Sequence, residues 1–411
     1  MSADRVDVAV VGAGAAGLLA AAFAAGDGRN VALLERTRDG GRKILISGGG
    51  RCNILPSEVR PEWFVTDSSP NSLRKILRGW PLAEQRRFFE AELRIPLALE
   101  VESGKLFPVS NRARDVRDRL VNHARERGAE VRFGVALQGL EQADWGWRLL
   151  LGEGKTLEAR MVVLATGGLS VPNTGSDGTG LGILERLGHR MHPTYPALTP
   201  LTTTDSRWTA LAGVSLDALL SAPPETPNYS RRQGFLFTHR GYSGPSVLNI
   251  SHLFTRPREG AAPRLLAAWG TPGPGAWEEQ VGGGGRTQVA TVLRRQLPER
   301  LVQGLMEVAG VAADRTLAQL RREEREGLLV ALTALPLPVS GDEGYRKAEV
   351  TGGGVALSEV DPVTMESRRC GGLFVCGEAL DAFGPIGGFN FLWAWATGRA
   401  AGVGAARRVA T

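Results

Sequence analysis

Residues 8–35 read VAVVGAGAAGLLAAAFAAGDGRNVALLE. Val8 to Val11 predict a strand, about Ala15 to Ala25 a helix, and Val31 to Leu34 a second strand ending on Glu35. Gly12, Gly14 and Gly17 occupy the three glycine positions of G-x-G-x-x-G between the first strand and the helix. The first glycine permits a tight turn, the second lets a pyrophosphate approach the backbone, and the third lets helix pack on strand. The helix start offers free N–H groups and partial positive charge to phosphate. Glu35, 23 residues after Gly12, is placed to accept hydrogen bonds from ribose hydroxyls. Strand, turn, helix and terminal acid in this order predict a dinucleotide site.

Length and composition bound what surrounds that site. A chain of 411 residues has room for two or three domains with a sizeable core. Its 43% hydrophobic and 22% charged residues are ordinary for a globular protein. Formal charge is +6, but the basic residues are dispersed pairs such as Arg231-Arg232 and Arg294-Arg295 rather than a dense stripe. Solvated faces are therefore expected, not a nucleic-acid partner. Cys52, Cys370 and Cys376 form no disulfide framework, so a reducing cytoplasm is the expected location. The five histidines lack metal-ligand spacing, and no metal is expected. The uncharged run Val8–Gly26 follows Asp4 and Asp7 and is broken by glycines, which fits a fold element and not a membrane anchor.

Arg42 and Lys43 come next, able to neutralise pyrophosphate, and then Ser47-Gly-Gly-Gly-Arg-Cys-Asn53, whose small residues suit a phosphate-and-ring cradle. Residues 72–94 read as helical, with Ser72 capping one helix and Pro81 in the first turn of another. A hairpin is expected about Ser103-Gly104, and a helix from Ser110 to about Arg127 stopped by Gly128. Val131, Phe133 and Val135 alternate as a strand. Residues 136–164 suggest a small antiparallel sheet inserted into the βαβ framework, leading into an apolar strand that ends Ala165-Thr-Gly-Gly168. A short helix is expected over Leu181–Leu187. From about Met191 the character changes to prolines and strand-like segments; 256–287 reads as loop and 288–330 as helical. Val350–Val355 reads as a glycine turn. Gly371–Glu378 reads as a buried strand, and Phe389-Asn390 opens a last helix running to about Ala401.

A second glycine cradle, the strand ending in ATGG and a second glycine-led helix start exceed what a nicotinamide dinucleotide needs. They suit an extended FAD, whose ring would meet the second helix start.

The segments GRKILISGGGRCN, GKLFPVSNRARDV, ATGGLSVPNTGSDGTG, FLFTHRGYSGPSVLNIS, VTGGGV and GLFVCGEALDAFGPIGGFNFLWAWATG together resemble the BaiN-type NAD(P)/FAD-dependent oxidoreductases, also called YhiN-like flavoproteins. The resemblance runs from residue 8 to 402 and is weakest over 256–330. It implies an α/β fold: a Rossmann-like FAD-binding domain over 1–192 and 346–411. A β-barrel-like substrate domain is inserted at 193–345, with a helical subdomain at about 288–330. It implies FAD as cofactor and NAD(P)H as transient co-substrate. Carried over residue by residue, adenosine and pyrophosphate contacts fall on Gly12, Gly14, Ala15, Ala16, Glu35, Arg36, Arg42 and Lys43. Flavin-side contacts fall on Ser47, Cys52, Asn53, Thr166, Gly167, Glu378, Gly387, Gly388, Phe389 and Asn390, and Val135 matches the backbone position that holds adenine. Where relatives carry Tyr and Gln in the last motif, this chain has Phe389 and Leu392.

The expected reaction is hydride transfer from NAD(P)H to flavin and then to an unsaturated or carbonyl small molecule. Only one G-x-G-x-x-G exists, so nicotinamide would bind transiently in the substrate cleft. The catalytic residue is not assigned by the sequence. His239, Arg240 and Tyr242 are candidate acids on a turn of the inserted domain, and ordering of that turn is the competing role for His239. Cys52 reads as a small buried residue beside the ring sooner than as a redox partner. His189 and His192 read as capping or packing. A flavin-binding regulator without turnover, an RNA-modifying flavoenzyme and a fumarate-reductase-like enzyme remain alternatives. The last two call for a basic cleft and a His/Arg cluster, and neither is apparent.

Overall fold

A computed structural model describes residues 4–261, 263–270 and 274–410, and divides the chain into two units: 1–196 with 349–411, and 197–348. The first unit is built on the sheet that the fingerprint begins. Asp4–Val11 lies between Val31–Glu35 and Thr156–Leu164, parallel to both, and Ala129–Phe133 extends the sheet beyond Val31–Glu35. Val31–Glu35 is buried along its length, as expected where helices cover both faces of a parallel sheet. Thr156–Leu164 has two partners on its other side. Its first half pairs antiparallel with Gly146–Leu151, while Val162 to Leu164 pair in parallel with Leu373 to Val375. The expected inserted sheet is therefore no separate sheet. One strand closes the Leu137–Ala143/Gly146–Leu151 meander and continues as the strand ending in ATGG.

Ala15–Ala24 is alanine-rich because it is compressed between this sheet and the C-terminal helix Phe389–Ala410. A Cβ on Gly398 would lie 2.3 Å from the Ala16 carbonyl oxygen, and one on Gly402 2.3 Å from that of Ala20. Only glycine at these successive turns lets the two helix backbones touch, which brings both helix starts to one edge of the sheet. The helix runs nine residues past its expected end at Ala401, its last turns also packed on the core.

Smaller elements differ from expectation for local reasons. Ser69, not Ser72, caps Pro70–Arg78, its hydroxyl accepting the Asn71 N–H. Pro81 caps Leu82–Arg87 from outside the helix. Leu97–Glu100 and Lys105–Pro108 form the expected hairpin, with Leu55–Pro56 on its other side. Val350–Val355 is a fully buried strand paired with Met191–Ala197, not a turn. Its glycines admit close neighbours: a Cβ on Gly352 would meet the Tyr195 ring at 2.3 Å.

The second unit is a seven-stranded antiparallel sheet in the order Leu335–Leu337, Leu265–Trp269, Ser215–Ser221, Gln233–Thr238, Gly241–Ser243, Leu201–Thr202, Gly341–Asp342. Its two edge strands are neighbours in sequence. The four steps from Leu337 to Gly341 span at most about 14 Å, whereas seven strands laid flat span about 29 Å. The sheet must curl so that its edges approach, which is the barrel-like form. Phe235, Phe237, Tyr242 and Trp269 fill the interior in mostly edge-to-face contacts. Tyr242 Oη donates to the carbonyl of Pro338, in the segment joining the two edges, at 3.2 Å. The stretch read as loop over 256–287 holds the strand Leu265–Trp269 and the helix Pro274–Gly282, while residues 262 and 271–273 lie outside the described residues. Helices continue at Val289–Leu293, Glu299–Val308 and Arg322–Thr333. No helix among the described residues is long and apolar enough to cross a membrane.

Candidate active site

A cavity of about 450 Å³ opens in the first unit where the two helix starts converge. The fingerprint glycines separate by what a side chain would meet there. Gly12 has φ +100°, and its Cβ would lie 2.5 Å from the Ala165 carbonyl oxygen; a Cβ on Gly17 would lie 1.8 Å from that of Gly12. A Cβ on Gly14 meets nothing within 4 Å, and Gly14 borders the cavity. The Ala15–Ala24 helix has no side-chain cap, so its first N–H groups are left for an anion. Gly49, which also borders the cavity, is equally open. These open cradles and the uncapped helix fit a dinucleotide pyrophosphate.

Of the nineteen residues expected to hold cofactor, seventeen line this cavity. The two outside it are Cys52 and Phe389. Cys52 is fully buried with φ +63°, and burial pushes its thiol up to about 12, which removes it from redox or nucleophilic work. Phe389 turns its ring edge-on to Trp63 and Phe64, at 5.8 and 6.1 Å between centroids. A hydroxyl at this ring would accordingly bear on the core more than on the cavity.

The remaining polar residues are tied into the walls. Glu35 Oε2 accepts the Ala13 N–H at 2.8 Å, and Oε1 accepts from the Thr37 N–H and hydroxyl at 2.8 and 2.6 Å. The acid thus braces the glycine turn, and of roughly four acceptor positions on a carboxylate about one is left for a ligand. The Val135 N–H donates to the Glu35 carbonyl at 2.9 Å, so only its carbonyl is left to read a base. Arg36 pairs with Asp177. Burial alone would raise the Asp177 carboxyl, but hydrogen bonds from Arg36 and Thr179 outweigh it and hold it below the usual range. Asn390 is clamped to the backbone of Gly384, accepting its N–H at 2.9 Å and donating to its carbonyl at 3.0 Å.

Arg42 and Lys43, expected to neutralise pyrophosphate, line the cavity and are also bonded to acceptors of the protein itself. Arg42 donates to Asp39 at 3.0 Å and to the Asn173 carbonyl at 3.2 Å. Lys43 Nζ lies 2.6 Å from both Ser170 Oγ and Glu378 Oε2. Glu378 also accepts from Ser170 Oγ at 2.6 Å and from the Thr351 N–H and hydroxyl at 3.1 and 2.9 Å. One carboxylate therefore joins three chain segments beneath the cavity, with its charge compensated by Lys43.

Other expected residues lie elsewhere. Tyr242 is buried in the barrel core, bonded to Pro338, and burial raises its phenol, so it is no proton donor to substrate. His239 and Arg240 are exposed on a turn of the second unit, with Arg240 3.7 Å from Glu343. His189 binds the Leu184 carbonyl at 3.0 Å and Ser367 at 2.7 Å, which is packing at a helix end. His192 lies 3.7 Å from Asp381. Sequence reasoning passed over Lys105 and Glu349, which also line the cavity. Lys105 stands inside the segment GKLFPVSNRARDV, and Glu349 directly precedes VTGGGV, but neither lies in a spacing that signals chemistry.

Comparison with known proteins adds four likenesses. The HI0933-like protein Rossmann domain profile matches residues 6–404. A ribosomal RNA dihydrouridine synthase of Escherichia coli (strain K12) is 34% identical, over 96% of this chain and 96% of its own. A 3-dehydro-bile acid delta(4,6)-reductase of Clostridium scindens is 31% identical, over 98% of this chain and 99% of its own. In three dimensions, a 3-ketosteroid-delta4-(5alpha)-dehydrogenase from Rhodococcus jostii RHA1 superposes with a TM-score of 0.50 at 16% identity, covering 98% of this chain and 97% of that one. The last is a likeness of fold.

Proposed function

The chain belongs to the HI0933-like Rossmann family of FAD-dependent oxidoreductases, and on that premise we propose that it reduces a carbon–carbon double bond conjugated to a carbonyl. Bound FAD would supply the two-electron chemistry, with NAD(P)H as the donor that recharges it. The observation that carries the reading is the convergence of two helix starts on one cavity. The starts at Gly14 and Gly388 each present partial positive charge, the first to pyrophosphate and the second to the negative charge of a reduced ring. The lone G-x-G-x-x-G supports transient entry of the nicotinamide rather than a separate domain for it.

Two relatives of different activity support the acceptor class. Forming dihydrouridine saturates a double bond next to a ring carbonyl, and a delta(4,6)-reductase of a 3-dehydro bile acid removes double bonds in line with a ketone. The shared chemistry is the conjugated carbonyl. The dispersed basic residues argue for a small molecule, whereas the RNA-named relative argues for a uracil base, and an assay with both decides the source.

The test is anaerobic mixing of the FAD-loaded protein with NADH and with NADPH, then with an unmodified ribosomal RNA transcript or a steroid dienone. Loss of the oxidised-flavin absorbance on adding a pyridine nucleotide, and its return on adding one acceptor, is the expected result. No bleaching with either nucleotide sinks the donor assignment. A reduced protein that neither acceptor reoxidises sinks the acceptor class.

A further inference from the structure

Reducing a conjugated double bond needs a proton as well as a hydride, and the cavity holds one carboxyl that no structural task consumes. The acids Glu35, Asp177 and Glu378 on its walls are each held by two or more donors. Glu349 differs. Its backbone carbonyl lies 3.2 Å from Ser170 Oγ, at the foot of the strand Val350–Val355. Among the described residues, no hydrogen bond or ion pair engages its carboxylate. Lys105, in the central strand of the 55–108 sheet, also lines the cavity. It passes over Gly387 closely enough that a Cβ there would meet its Cε at 3.5 Å. Lys105 therefore stands at the flavin end of the site, beside the start of the C-terminal helix, and its charge acts on Glu349.

We propose that Glu349 is the proton donor to the acceptor, with Lys105 as the cation that receives the resulting carboxylate. The assignment rests on the reading of the protein as a reductase of conjugated carbonyls. With reduced FAD bound to supply a hydride to the acceptor's β carbon, the π pair would move toward the carbonyl and the α carbon would take the proton from the Glu349 carboxyl. The O–H bond of Glu349 breaks, a C–H bond forms at the α carbon, and solvent reprotonates the carboxylate. The acceptor gains two hydrogens and two electrons, and the flavin is left oxidised.

The electrostatics suit a donor. Water reaches the Glu349 side chain through the open cavity, so it is exposed by area, yet the surrounding protein disfavours its charge. Burial raises its carboxyl above the usual range, and Lys105 opposes that rise. Of the other charged groups on the cavity walls, Lys43 and Glu378 neutralise one another, Arg36 pairs with Asp177, Arg42 pairs with Asp39, and Glu35 is held by the Ala13 and Thr37 donors. Arg346 and Lys347, just upstream, are exposed. A carboxyl brought toward neutrality and left without protein partners is matched to general-acid work.

The experiment follows reoxidation of photoreduced, FAD-loaded protein by whichever acceptor works, across pH, in wild type, E349Q and K105M. In parallel, the carboxyl titration of Glu349 is followed in carbon-13 glutamate-labelled protein and assigned by its loss in E349Q. Wild-type reoxidation should fall as pH rises through the Glu349 titration. E349Q should be slower by on the order of 10²–10⁴-fold and lose that limb. In K105M the limb and the carbon-13 titration should both move to higher pH, because the carboxylate has lost its cation. A merely structural Glu349 would still shift its carbon-13 titration in K105M, but the reoxidation limb would neither follow that titration nor move with it. Reoxidation of E349Q within about threefold of wild type, with the limb retained, overturns the proposal. So does a Glu349 signal that titrates in the ordinary carboxylate range and ignores K105M. If no acceptor reoxidises the wild type, the acceptor class fails, while the titration and its response to K105M still decide the state of Glu349.

Discussion

Gly14→Ala and Gly17→Ala are chemically the same change three residues apart, and the structure assigns them opposite consequences. At Gly14 the new methyl meets nothing within 4 Å, and φ −81° is ordinary for any L residue. The fold without cofactor should keep its stability to about 0.5 kcal/mol, because no core contact changes. The methyl instead fills the space where pyrophosphate must approach the free N–H groups. Losing about two charge-assisted hydrogen bonds at roughly 1.5 kcal/mol or more each amounts to about 3 kcal/mol, a hundredfold weaker FAD affinity. At Gly17 the methyl would lie 1.8 Å from the Gly12 carbonyl oxygen and 3.1 Å from Ala165 Cβ. Backbone must move, which places the penalty near the upper end of overpacking, about 3 kcal/mol, or roughly 4–6 °C in Tm. Thermal unfolding of both apoproteins, with calorimetric titration of FAD into each, separates the effects. Wild-type FAD affinity in Gly14→Ala refutes the reasoning, and so does a Gly14→Ala apoprotein as destabilised as Gly17→Ala.

Three further outcomes are expected. Lys43→Met leaves the Glu378 carboxylate without its cation; with side chains 27% and 17% exposed, the loss should be about 2 kcal/mol, and Lys43→Met with Glu378→Gln should recover part of it in thermal unfolding. Gly402→Ala sets a methyl 2.3 Å from the Ala20 carbonyl oxygen, so it should destabilise by about 2 kcal/mol and weaken FAD binding by parting the two helix starts; unchanged FAD titration would contradict the latter. Burial lowers the His252 imidazole from 6.5 to about 4. As pH falls from 6.5 toward 4 the unfolded chain takes up a proton that the folded chain refuses, so up to about 3 kcal/mol of stability is lost across that window and little more below it. Denaturant unfolding of wild type and His252→Asn shows this as a slope present in the first and absent in the second.

The parts of the fold legible in the sequence are those where one residue type has one physical use. Gly12 and Gly17 had to lack a side chain where backbone meets backbone, the buried run Val31–Glu35 needed cover on both faces, and Phe389 had to open a helix after two glycines. Val350–Val355 was misread because its three glycines are equally good evidence for a turn and for a strand pressed against Tyr195 and the 379–380 backbone. Leu265–Trp269 was hidden by the prolines and glycines around it, although its ends lie in the barrel. At the site, motif position located the walls but not the tasks. Lys43 answers to Glu378, 335 residues away, and no local pattern records such a partner. Glu349 and Lys105 carry no spacing signal for the same reason: they meet only in the folded cavity.

The central claim is tested most directly by the product. The FAD-loaded protein with NAD(P)H is incubated under anaerobic conditions with an unmodified ribosomal RNA transcript and, separately, with a steroid dienone, and each acceptor is then examined by mass spectrometry. A gain of two hydrogens on a uridine or on the dienone is expected, located at the double bond next to the carbonyl and absent without the protein. Fully reduced flavin standing beside both acceptors unchanged would contradict it.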